Sequence, residues 1–390
     1  MDLNKILILS NSPHEHTGYG RQTRYLCGIL QELGYQVGVV ANHGLEGPAI
    51  HWQDIPIYGK RESMYCMDEI PHYVNHFGAD AVISLYDLWY FPPDTAQRIG
   101  VPWIAMVPIE GAPIRGRLPR LLRTASYVVT YSQYGYDQLL DVSLPSTMIP
   151  HCVDTDVYRP GDNAAIRHEL GLPQDKFVVT MVAMNKGTPP YRKAWVEMLR
   201  AWKIFNKRHP DTMFYCHTNR VPISPGSNYA LRFEPLIEDL GIPWSSLGFP
   251  DKEAFTVGMP DEGMAQMYSA SDVTILPSMA EGFGLPVIES QACGTPILAH
   301  DVSAMTELVV NGTLIRRGEP VWIAPRNYWW HRPQVSDIVA VLEEAYQQDQ
   351  EGTLNDRAAA GIAAMVESFS LPAVTPLWDE FLGRVGRELW

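Results

Sequence analysis

Little in this chain suits a membrane or a nucleic acid. No apolar run approaches the ~18–20 residues of a spanning helix. The first residues pass into a strand pattern without the basic n-region or cleavage site of a secretory leader. Basic residues are in short supply: 30 Lys and Arg face 44 Asp and Glu, a net charge of −14, the wrong sign for a phosphate-backbone binder. Cysteine is scarce as well. The five present (27, 66, 152, 216, 293) are scattered, odd in number and mostly inside apolar runs, which argues against a disulfide frame or zinc site and fits a reducing compartment. The expectation is a cytoplasmic protein. With 390 residues, 46% hydrophobic and 11% aromatic, the chain has material for two domains with sizeable cores.

Short apolar runs alternate with helical patterns. Strands are expected at Lys5–Ser10, Gln36–Ala41, Ala81–Leu85, Trp103–Val107 and Tyr127–Tyr131. The first crossover helix runs from about Gln22 to Leu33 and stops at Gly34. A composition shift follows at Met148-Ile-Pro-His151-Cys152-Val-Asp154, after which the alternation restarts with Phe177–Val182, a helix opened by Arg192 and Lys193, and Met213–Cys216. Such alternation reads as parallel sheets covered on both faces. The end, from about Leu371 to Trp390, reads as a helix rich in Trp.

The most informative stretch is Pro277-Ser-Met-Ala-Glu281-Gly282-Phe283-Gly284-Leu285-Pro286-Val-Ile-Glu289-Ser290-Gln291-Ala-Cys-Gly294-Thr-Pro296. It lies between two apolar strand patterns, Val273–Leu276 and Ile297–Ala299, so its middle is a crossover helix. Pro286 suits the first helical turn and Gly294 with Pro296 the stop. Glu281 then sits in the loop at a strand's carboxyl end, and Glu289 about one turn into the helix. Gly282 and Gly284 uncover backbone N–H groups at the helix start, a cradle for a phosphate or sugar oxygen. On spacing alone, two solvated glutamates in a βαβ unit is the competing reading.

This string resembles the signature of the retaining GT-B glycosyltransferases of family 4, P-S-x-x-E-G-F-G-x-x-x-x-E-A-x-A-x-G-x-P, with Ser290 in place of the usual Ala. The segment from Met148 to Pro160 resembles the family's interdomain stretch, with His151 and Cys152 where Asn-Gly is usual. The resemblance implies an α/β protein of two Rossmann-like domains facing across a cleft: residues 1–150 for the acceptor, an interdomain segment 151–172, residues 173–365 for the nucleotide-sugar, and a C-terminal helix, 366–390, returning to the first domain. It implies Glu281 on a donor-sugar hydroxyl, Glu289 on the ribose, and Gly282, Phe283, Gly284 and Leu285 lining the donor. The family's basic pair for the diphosphate falls in Asn185-Lys186-Gly-Thr-Pro-Pro-Tyr-Arg192-Lys193, where Lys193 is the match and either Lys186 or Arg192 the second cation. Gly18 and Gly20, after the first strand, resemble its glycine loop. The implied reaction is metal-independent transfer from a UDP- or GDP-sugar to a hydroxyl of a glycan, lipid-linked or small-molecule acceptor.

Where many members carry a histidine facing the reacting carbon, this chain has Val107-Pro-Ile-Glu110. Glu110 is the nearest polar group and the candidate for a hydrogen-bonding role toward the acceptor, with Asp87 a weaker one; a loop carboxylate without such a role is the competing reading. His14 and His16 lack a third metal ligand, and Asp154-Thr-Asp156 reads as structural. Arg115, Arg117, Arg120 and Arg123 form the one basic cluster, a solvated face or a site for an anionic acceptor or peripheral membrane contact. Trp322, Trp329 and Trp330 read as packing. Two rival functions are a glycosyltransferase acting on modified nucleic-acid bases, which the acidic balance opposes, and a non-catalytic sugar-nucleotide-binding scaffold, which intact Glu281, Glu289 and Lys193 oppose.

Overall fold

The structure, a computed structural model, describes residues 3–61, 64–221 and 230–389. The chain divides into two compact units. The first comprises Met1–Cys152, Ile323–Tyr328 and Phe369–Trp390, and the second Val153–Trp322 and Trp329–Ser368. The sequence reading leaves all of 323–328 inside the second domain.

The first unit is built on eight strands: β1 (Lys5–Asn11), β2 (Gln36–Glu46), β3 (Ile50–Trp52), β4 (Ile55–Lys60), β5 (Ala81–Leu85), β6 (Trp103–Val107), β7 (Tyr127–Thr130) and β8 (Thr147–Met148), in the order β3-β4-β2-β1-β5-β6-β7-β8. Its pairs are parallel except β3 with β4. The central strands bury both faces and are near-continuous apolar runs, as parallel sheets require; Ile6 to Leu9 and Ala81 to Leu85 are buried throughout. The helix Gly18–Glu32 is capped by Thr17, whose hydroxyl accepts from the Gly20 N–H at 3.0 Å. The helix Leu371–Leu389 belongs to this unit; Tyr127 donates to Glu388 at 2.9 Å and Arg384 to Thr147 at 2.7 Å. Trp390 lies outside the described residues.

The second unit carries β9 (Phe177–Val182), β10 (Thr212–His217), β11 (Leu247–Gly248), β12 (Val273–Leu276), β13 (Ile297–His300) and β14 (Gly312–Ile315), all paired parallel in the order β11-β10-β9-β12-β13-β14. A hairpin of β15 (Glu319–Ile323) and β16 (Tyr328–Arg332) follows, with 323–328 assigned to the first unit. In both sheets the strand order reverses once near the middle, between β1 and β5 and between β9 and β12. Open parallel sheets bind ligands outside the carboxyl ends of the strands at such reversals, because neighbouring crossovers run to opposite faces and leave a crevice.

Candidate functional site

At the second reversal, the loops after β9 and β12 carry the residues singled out in the sequence. Glu281 follows β12 and is 7% exposed. Arg192 Nη1 donates to Glu281 Oε2 at 2.6 Å and to the Ala280 carbonyl at 2.8 Å, and Lys193 Nζ donates to Glu281 Oε1. Burial pushes the Glu281 carboxyl up, but the charges of Arg192 and Lys193 outweigh it and hold the group down at about 2. The two loops are tied through the backbone, since the Met279 N–H donates to the Arg192 carbonyl at 2.7 Å. One carboxylate thus gathers two cations beside the end of a parallel strand.

Arg192 and Lys193 do not open the helix. It spans Trp195–Arg208, and its N-cap Ala194 has φ 53°, a left-handed turn that sets the two cations in the preceding loop. Their anchor is Glu281, not the helix terminus. Lys186 is exposed on the same loop. Asn185 beside it is buried: its amide nitrogen donates to the carbonyls of Asn219 and Leu231, and its amide oxygen accepts from the Leu231 N–H. It pins the loop after β9.

Glu289 lies in the helix Leu285–Ala292, 2% exposed, and accepts from the Tyr268 hydroxyl at 2.7 Å. The helix starts at Gly284, whose φ of 115° a side chain rarely adopts, with Pro286 in the first turn. Gly282 and Leu285 are half-buried, and Phe283 is buried. Ser290 is used rather than tolerated, since its hydroxyl reaches Thr274 Oγ1 and the Thr295 carbonyl. Gln291 donates to Val287 and Leu308 carbonyls and accepts from the N–H groups of Val310 and Asn311. This buried amide locks the helix to the segment before β14.

Glu110, in the first unit after β6, is 7% exposed. Its Oε1 accepts from Arg326 Nη1 at 2.6 Å and from the Tyr328 hydroxyl at 2.5 Å. Gly111 is required beside it, because a Cβ there would lie 2.4 Å from the Tyr328 ring. Gly18 is exposed at the helix start, and Gly20 is packed so tightly that a Cβ would fall 2.3 Å from the Glu15 carbonyl oxygen. Both nitrogens of His14 are engaged, by Ser12 Oγ and the Gly44 carbonyl. Asp154 accepts from the Asp156 N–H at 3.0 Å, a local turn. Arg117 and Arg123 of the basic cluster donate to the carbonyls of Phe91 and Val142.

Comparison with known proteins bears on part of the chain. The stretch 244–349, which contains Glu281 and Glu289, matches the family model of glycosyl transferases group 1. Residues 244–349 are a glycosyl transferases group 1 domain. The chain is 38% identical over 165 residues to the D-inositol 3-phosphate glycosyltransferase of Acidothermus cellulolyticus, covering 42% of this chain and 35% of the relative. It is 36% identical over 182 residues to the same-named protein of Rhodococcus jostii, covering 46% and 36%. The chain therefore spans little more than a third of the length of the curated relatives it matches. The fold is GT-B: sucrose-phosphate synthase from Thermosynechococcus elongatus superposes with a TM-score of 0.74 at 18% identity over 99% of both chains. HepE of Anabaena, in a complex with UDP-glucose, superposes at 0.71 and 16% identity over 97% of this chain and 99% of that one.

Arg192 and Lys193 lie upstream of the group 1 domain, joined to it through Glu281. Arg326 and Tyr328 lie inside its matched range, yet their side chains serve the first unit. The sequence reading missed both, along with Tyr268. A signal for the first two existed: Val321-Trp322-Ile323 and Tyr328-Trp329-Trp330 flank the four residues Ala-Pro-Arg-Asn, the spacing of a β-hairpin. Asn327 takes φ 57° in that turn, a conformation asparagine tolerates well.

Proposed function

We propose that the chain is a cytoplasmic, retaining glycosyltransferase that moves a sugar from a nucleotide-diphosphate donor, a UDP- or GDP-sugar, to an acceptor hydroxyl without a metal. The observation that carries the reading is the buried Glu281 holding Arg192 and Lys193 together at the strand-order reversal of the second unit. A leaving nucleoside diphosphate gains negative charge in the transition state. Two preorganised cations at a fixed spacing stabilise that charge without reorganising at the moment of reaction. They supply the electrostatic share that a divalent ion supplies elsewhere. Glu289, oriented by Tyr268, takes the ribose hydroxyls, and Gly282 to Leu285 line the donor. In the first unit, Gly18 and Gly20 are the glycine loop assigned to the donor, and Glu110 is the group assigned to the acceptor. The matched group 1 domain and the relatives named above support the transferase class.

A thermal-shift panel of UDP-, GDP-, ADP- and dTDP-sugars tests the donor assignment. A donor at a hundred times its Kd adds about 2.7 kcal/mol to the folded state, a rise of about 5–10 °C for a unit of this size. One nucleotide raising Tm in the wild type but not in Glu289→Ala is the expected result, and transfer then continues undiminished in EDTA. No shift with any nucleotide-sugar sinks the proposal.

A further inference from the structure

At the carboxyl ends of β1, β5, β6 and β7 the first unit gathers a polar cluster of which the proposed reaction uses only Glu110. Tyr19 donates to Asp87 Oδ1 at 3.2 Å and stacks on Tyr86 at 5.3 Å. Arg326 and Tyr328 converge on one oxygen of Glu110. The Arg326 guanidinium lies 5.3 Å from the centre of the Trp89 ring, which meets Tyr328 edge-on at 5.5 Å. Asp87 and Glu110 both act on Tyr19 and on Arg326, so the two carboxylates share one neighbourhood. Burial, and after it the charge of Asp87, pushes the hydroxyls of Tyr19 and Tyr131 well up, leaving both as neutral donors at physiological pH.

Two donors here lack a partner. The Tyr131 hydroxyl and the Trp89 indole N–H are buried with no hydrogen-bond acceptor among the described residues, and Tyr131 is 2% exposed. Buried donors left in this way are destabilising and call for an oxygen from outside the chain. The cluster's own charges are two carboxylates against one guanidinium. Carboxylates accept from hydroxyls, aromatic faces pack against the C–H faces of a ring, and the excess negative charge opposes a phosphate.

We infer that Arg326 and Tyr328 are positioning residues that hold Glu110 for an uncharged, hydroxyl-bearing ring as acceptor, and that the same cluster disfavours a phosphorylated one. The inference rests on the glycosyl-transfer reading. It also sets this chain apart from the relatives, whose name specifies inositol 3-phosphate.

The test uses the full chain with the donor found by thermal shift. Glucose and myo-inositol are assayed as acceptors against glucose 6-phosphate and inositol 3-phosphate. At least one uncharged compound is expected to exceed its phosphorylated counterpart tenfold or more in kcat/KM. Arg326→Met and Tyr328→Phe are each expected to raise the acceptor KM about ten- to hundredfold, the loss of one charged hydrogen bond. Arg326→Lys recovers part of that loss, and all three variants keep the donor-induced rise in Tm, which a general structural defect would erode. A preference for the phosphorylated compounds, turnover of neither uncharged compound, or an unchanged acceptor KM in Tyr328→Phe overturns the inference while donor binding stands. A wild type that binds no donor overturns the underlying reading instead.

Discussion

Replacing Glu281 by Gln removes the charge that gathers Arg192 and Lys193 but keeps the shape of the side chain. Its carboxyl sits at about 2 in the folded protein against 4.5 ordinarily. That difference corresponds to about 3 kcal/mol of stability at neutral pH. The folded value is depressed, so the contribution is fully present above 4.5 and is lost as pH falls toward 2. At pH 3 less than half of it remains, by the same linkage. Glu281→Gln should therefore lower Tm by about 6–12 °C at pH 7, and the gap between wild type and variant should narrow to less than half at pH 3. Calorimetry of both proteins across that range is the assay. An equal Tm at pH 7, or a deficit that ignores pH, would refute the claim that the carboxylate is held ionised by the two cations.

Two further outcomes follow from packing and burial. Gly20→Ala places a methyl group 2.3 Å from the Glu15 carbonyl oxygen, so the loop has to move, at a cost of about 1–3 kcal/mol; a Tm equal to that of wild type would show that the loop yields freely. Burial lowers His151 to about 3 and His300 to about 4. The unfolded chain takes up protons near 6.5 that the folded chain refuses, so stability falls as pH drops below 6.5 and levels off near 3 to 4. His151→Asn should flatten the slope of Tm against pH between 6.5 and 4, and an unaltered slope would contradict the burial argument.

Strands were legible wherever burial on both faces leaves an unbroken apolar run, as at Ile6–Leu9 or Val273–Leu276. The helix carrying Glu289 was legible because Gly284, Pro286 and Gly294 punctuate it. The antiparallel β3 was not, since Ile50-His51-Trp52 is too short and mixed to show a period. Nor could the place of Arg192 and Lys193 be read, because it depends on Ala194 in a left-handed conformation that alanine does not advertise. The turn that carries Arg326 had a local signal, but its pairing with Glu110 had none, since the two lie 216 residues apart in the chain. Gln291 stands at a position the signature leaves variable, yet all its amide capacity is spent tying the helix down.

The separation of Arg326 from Glu110 bears on how the proposed acceptor preference is inherited or engineered. The first unit is assembled from three stretches, one of which, Ile323–Tyr328, is encoded within the group 1 domain. A chimera joined after Cys152 would transplant Asp87, Glu110 and Tyr131 without the hairpin turn that supplies Arg326 and Tyr328. Its recipient would hold a carboxylate beside a foreign loop. On the acceptor role proposed for this cluster, moving an acceptor preference to another scaffold requires the hairpin to travel with the amino-terminal half, and drift in the hairpin retunes the acceptor with no change in the first 152 residues.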